Sequence, residues 1–119
     1  MNIEELQTIC QQLPGTTEDI KWDYHLCFNV GGKMYLITSP DEAPPSASFT
    51  TTPEGFEELT ARAGINAQKH LGRYGWVQVD DINLLTLAQW QHYIRESYLR
   101  VASKLSLKLR KQLGIVATS

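Results

Sequence analysis

The chain predicts an α+β domain, an antiparallel sheet of four to five strands packed against N- and C-terminal helices. Three observations carry that expectation. Tyr24 to Val30 and Met34 to Ile37 place large apolar side chains on alternate residues, the period of half-buried strands, on either side of Gly31-Gly32. Further alternating runs occur at Ala47 to Thr51 and Tyr74 to Val79. Apolar residues at helical spacing bracket all of these, at Ile3 to Leu13 and Leu87 to Leu105.

In chain order, Asn2 with Glu5 three residues on forms a capping box for a first helix, which Pro14-Gly15 ends. Thr16 to Lys21 is a polar connection with room for a short edge strand. Trp22 to Ser39 is a hairpin, because two glycines supply the positive φ angles of a primed turn. A simple register pairs Val30 with Lys33, Phe28 with Tyr35 and Leu26 with Ile37. Tyr24, Leu26, Phe28, Tyr35 and Ile37 then share one face, and the hairpin serves as scaffold. Three prolines make Ser39 to Pro45 a stiff acidic loop. Thr52 caps a second helix with Pro53 in its first turn, and Phe56, Leu59 and Ala63 point inward. Asn66 to Leu71 is read as a helical turn ended by Gly72. A long helix starts near Thr86 with the stripe Leu87, Trp90, Ile94, Tyr98, Val101 and Leu105. Ser106 re-caps a final short helix, and Ile115 to Ser119 is a frayed tail.

With 119 residues, 42% hydrophobic and 20% charged, the chain reads as one domain over residues 1–119. A domain of this size buries roughly two thirds of its unfolded surface, so its core needs no disulfide or metal. The apolar runs are too short for a membrane span. The N-terminus has neither a basic nor an apolar leader region, so the expected location is cytoplasmic. Cys10 and Cys27 have no C-x-x-C spacing and read as small buried apolar residues. The net charge of −2 conceals an asymmetry: residues 1–60 carry two basic and ten acidic side chains, and residues 61–119 nine basic and three acidic. Such a dipolar chain can present a basic patch to phosphates despite an overall pI near 5.9.

Motifs for catalysis are missing: there is no G-x-S-x-G, no phosphate-binding loop and no H-E-x-x-H, so neither an enzyme nor a cofactor is expected. His25, His70 and His92 lack metal spacing and read as solvated or hydrogen-bonded. Glu4, Glu5, Glu18, Asp19 and Asp23 form either a solvated acidic face or a ridge for hard cations. Lys69, His70, Arg73, Tyr74 and Trp76 combine cations with stacking rings, the ingredients of a nucleic-acid surface. The alternative reading makes Tyr74 and Trp76 rim and core of the last strand. Arg95, Arg100, Lys104, Lys108, Arg110 and Lys111 supply either a second phosphate surface or the solvated face of an amphipathic helix. Spatial convergence of the two sets decides between these readings.

The order of Leu13-Pro14-Gly15-Thr16-Thr17-Glu18-Asp19, Phe28 to Tyr35, Tyr74-Gly75-Trp76-Val77 and Glu96-Ser97-Tyr98 with Lys104-Leu105 resembles the MmcQ/YjbR family of small bacterial proteins. The resemblance covers nearly the whole chain. It implies a CyaY-like fold, also described as a double wing, and DNA as a partner. It places a cation shortly before a tryptophan, at Arg73 and Trp76, with Lys69 upstream, and brings no catalytic residue. The expected function is therefore DNA binding through Lys69, His70, Arg73, Tyr74, Trp76, Arg100, Lys104, Lys108, Arg110 and Lys111. A module for another protein, a small ligand or a cation is the alternative.

Overall fold

Asn2, Thr52, Thr86 and Ser106 each start a helix by accepting a hydrogen bond from an otherwise orphaned amide; the sequence names Asn2, Thr52 and Ser106 as caps and starts the long helix near Thr86. The helices are α1 (Ile3–Gln11), α2 (Pro53–Thr60), α3 (Leu87–Ala102) and α4 (Leu107–Gln112). Asn2 and Glu5 exchange side-chain-to-backbone bonds of 2.9 and 3.2 Å. Thr86 and Gln89 do the same at the head of α3. A computed structural model describes residues 1–22 and 24–115. Asp23 of the acidic ridge, and residues 116–119 of the expected tail, lie outside the described residues. Ile115 itself is buried.

Six strands form one open antiparallel sheet: β1 (Thr16–Lys21), β2 (His25–Val30), β3 (Lys33–Ser39), β4 (Ser46–Thr50), β5 (Ile65–Ala67) and β6 (Trp76–Val79). Their spatial order is β1-β2-β3-β4-β6-β5. At the margins, β1 is the short edge strand for which Thr16 to Lys21 leaves room, and β5 is the strand beyond the four to five expected. Along β1 most side chains are exposed, so no apolar alternation betrays it, yet it pairs with β2 over its whole length. β5 takes residues 65–67 and overlaps the start of the Asn66 to Leu71 segment read as a helical turn, because pairing with β6 satisfies that backbone.

The hairpin register departs from the simple one. Val30 pairs with Lys33, but Phe28 faces Leu36 and Leu26 faces Thr38, with a bulge that leaves Tyr35 as the extra residue. Tyr35 and Leu36 both join the main core, and Ile37 turns to the other side of the sheet. Tyr24 precedes β2 and stands 53% exposed, off the core face. A buried Ser97 on α3 supports this irregular stretch: its hydroxyl donates to the Tyr35 carbonyl at 2.6 Å and accepts from the Thr50 amide at 3.1 Å. The turn glycines have φ of 58° and 79°. A Cβ on Gly31 would meet the Leu105 side chain at 2.6 Å, so the turn is also packed from above.

The helices cover one face of the sheet. α3 lies over β3 and β4, α2 against β5 and β6, and α1 against α3 and β1. Phe28, Leu36, Phe49 and Val77 from the sheet meet Leu6, Leu59, Trp90, Ile94 and Tyr98 from the helices. Phe56 is half-buried, whereas Ala63 lies beyond α2 and is exposed, because the helix ends at Thr60. The Trp90 indole donates to the Ile82 carbonyl at 2.8 Å, and the Tyr98 hydroxyl to the Pro14 carbonyl at 2.5 Å. The other face carries a second, smaller cluster of Cys27, Ile37 and Trp76, flanked by Met34 and Leu71.

Candidate functional site

The open face is built by strand alternation. Cys27, Ile37, Ser48, Gln78 and Asn66 stand side by side across β2, β3, β4, β6 and β5. Small and polar side chains in the middle of this row leave a hollow, and a groove of about 790 Å³ lies over it. Met34, Ile37 and Leu71 give it apolar surface, while Ser39, Ser46, Ser48, Gln68 and Gln78 give it polar surface. Trp22, Tyr24, His25, Glu42 and His70 complete the lining.

Several of these groups are held in place. His25 Nδ1 and the Ser39 hydroxyl are 2.9 Å apart, and Ser46 donates to a Glu42 carboxylate oxygen at 2.9 Å. The rings of Tyr24 and Trp22 both contact His25, with centroids at 4.2 and 5.7 Å, the second pair edge-on. The Gln68 amide oxygen accepts from the backbone N–H groups of His70 and Leu71, both at 2.7 Å, and fixes the turn beside the groove. The hairpin, read from the sequence as scaffold, also contributes His25, Met34, Ile37 and Ser39 to the groove lining.

A second, shallower cleft of about 460 Å³ lies where α2 and α3 approach the turn before β6. Arg73, Tyr74 and Arg100 line it together with Thr51, Pro53 and Glu57. Gly72 to Tyr74 form a 3-10 turn closed by Gly75 at φ 83°. That turn presents Tyr74, which is 60% exposed, with the Arg73 guanidinium 5.0 Å from its ring centre. Arg100 Nε is buried and has no hydrogen-bond partner among the described residues.

The residues expected from the sequence to form one basic surface are therefore divided. Arg73, Tyr74 and Arg100 converge in the cleft, and His70 faces the groove. Trp76 is only 8% exposed and packs in the second cluster, the core role that was its alternative reading. Lys69, Lys104, Lys108, Arg110 and Lys111 line neither cavity. Trp22, Tyr24 and Glu42 were not among the site residues expected from the sequence, which placed Tyr24 on the hairpin's core face. The available signal was a pair of large aromatic rings in a polar stretch just before a strand.

The other candidates are accounted for locally. Glu18 accepts from Gln7 and Gln11, and Asp19 accepts from Asn29 and Lys21. The Asn29 amide, assisted by Lys21, holds the Asp19 carboxyl below its usual value. Among the described residues no group of three or more His, Cys, Asp or Glu is placed to hold a metal ion. Both cysteines are buried and free. Burial pushes the Cys10 thiol up to about 12 and raises that of Cys27, which keeps both protonated and unreactive near neutrality. No helix among the described residues is long and apolar enough to cross a membrane.

Helices on one face of an open antiparallel sheet, a groove on the other and a separate cleft lined by two arginines make up a small α+β domain. The chain belongs to the YjbR family, whose model matches residues 11–100. It is similar in structure to a Deinococcus radiodurans protein described by the domain DUF419, with 28% identity, a TM-score of 0.88, and coverage of 99% of this chain and 91% of that one. A Pseudomonas syringae protein solved in a structural genomics programme shares the fold, with 20% identity, a TM-score of 0.70, and coverage of 85% of this chain and 99% of that one. A search of curated proteins finds no match.

Proposed function

We propose that the chain is a non-enzymatic binding module that holds a single strand of DNA or RNA in the Arg73–Tyr74–Arg100 cleft. One observation carries this reading: two arginines from separate segments, one on the 3-10 turn and one on α3, line the same cleft as an exposed tyrosine ring. Two guanidinium groups suit a phosphate, and a tyrosine face accepts a base of any identity. Glu57 in the same lining opposes the phosphate and restricts the contact to the arginine side. The expected contact is therefore short and weakly sequence-specific.

Fluorescence anisotropy with a labelled ten-nucleotide oligothymidylate tests it. Affinity should fall with salt on a log–log slope of about −1.4, the value for two phosphates on a single strand, and Arg73→Ala or Arg100→Ala should each flatten that slope by about 0.7. Tyr74→Ala should weaken binding by about 1–3 kcal/mol through lost stacking. Binding that is undetectable at low salt, or unchanged in Arg73→Ala, overturns the proposal.

A further inference from the structure

The groove on the open face differs from the cleft in the sign of its charge. Apart from two imidazoles and the Tyr24 phenol, Glu42 is the one ionisable side chain among the described residues that line it, and no lysine or arginine does so. One Glu42 oxygen is held by Ser46, and the other takes no protein partner among the described residues. Phosphates and carboxylates find no counter-charge there, whereas a cation does. Trp22 and Tyr24, 60% and 53% exposed, add ring faces whose quadrupoles attract cations. The Trp22 and His25 rings stand at 82° to each other and form an aromatic corner. Trp22 also occupies a left-handed backbone conformation with φ 53°, unusual for a bulky residue, and core packing does not account for it.

The rest of the lining fixes the size and polarity of the occupant. A volume of about 790 Å³ is in the range of small-molecule sites, and Met34, Ile37 and Leu71 offer apolar surface for an alkyl stem. We propose that the open-face groove binds a small alkylammonium cation, its charge between the Glu42 carboxylate and the Trp22 and Tyr24 rings and its stem on Met34, Ile37 and Leu71. The site shares none of its lining residues with the arginine cleft and stands or falls independently of nucleic-acid binding.

Calorimetric titration of the whole chain at pH 8 with n-butyltrimethylammonium, pentan-1-ol and pentanoate tests the charge preference. The cation should bind saturably, the alcohol about tenfold more weakly or worse, and pentanoate not at all. Glu42→Gln and Trp22→Ala should each weaken the cation about tenfold, with thermal melts confirming that these surface variants fold. Three results overturn the proposal: pentanoate or pentan-1-ol binding as tightly as the cation, no saturable heat from any of the three probes, or an unchanged affinity in both variants.

Discussion

The two faces of the sheet are built from the same strands and do different work. On the covered face, alternate residues of β2 to β6 meet helices in one continuous apolar cluster, and polar groups beside it are bonded, as Ser97, Trp90 and Tyr98 show. On the open face, the intervening residues make a small cluster around Trp76 beside a groove of mixed polarity. Stability therefore belongs chiefly to the first face, and recognition can be carried by the second at little cost to the fold. The three tryptophans mark the gradient: Trp90 fully buried, Trp76 8% exposed and Trp22 60% exposed.

Substitutions on the two faces should separate accordingly. Trp90→Ala removes the largest fully buried side chain and strands the Ile82 carbonyl, so denaturant melts should show a loss of about 3–5 kcal/mol. An equal loss from Trp22→Ala would break the contrast between the faces. Ser97→Ala leaves the Tyr35 carbonyl and the Thr50 amide without their shared hydroxyl, and should cost about 1–3 kcal/mol by the same measurement.

Alkaline pH should also weaken the covered face. The Cys10 thiol keeps its proton in the folded chain up to about 12, against an ordinary value of 9.0, so the unfolded chain sheds that proton first. Stability is then unaffected below about pH 9 and falls as pH rises above it, by up to about 1.4 kcal/mol per pH unit for this proton. Tyr35 and Tyr98, likewise raised by burial, steepen the decline at higher pH. Melts from pH 8 to 10.5 should show a shallower slope in Cys10→Ala. The smallest effect is expected at Trp22: glycine there accepts the left-handed backbone freely, so Trp22→Gly should hold stability constant or raise it by up to about 1 kcal/mol. If that variant instead loses stability, the exposed ring contributes to the fold.

The parts of this architecture that were legible in the sequence are those with local causes. Three helix caps, the Gly31-Gly32 turn and the alternation in β2, β3, β4 and β6 depend on neighbours a few residues apart. The bulge at Tyr35 escaped because an aromatic residue suits either register, and only its contact with α1 and α3 decides. β1 was foreseen only as room for a short edge strand, and β5 escaped, because exposed or very short margin strands carry no apolar period. Of the basic residues, sequence proximity grouped Lys69, His70 and Arg73, but the 3-10 turn sends His70 to the groove and Arg73 to the cleft. The groove itself gathers residues from 22 to 78, and no local pattern could reveal it.

The margins of the sheet have a consequence for self-association. An open sheet offers unpaired backbone groups at each outer strand, a template on which another chain can add a strand. Here one outer strand displays Glu18 and Asp19 to solvent beside Thr17 and an exposed Ile20, and the other extends for only three residues. Charge at one margin and brevity at the other discourage strand-by-strand growth from the sheet's edges.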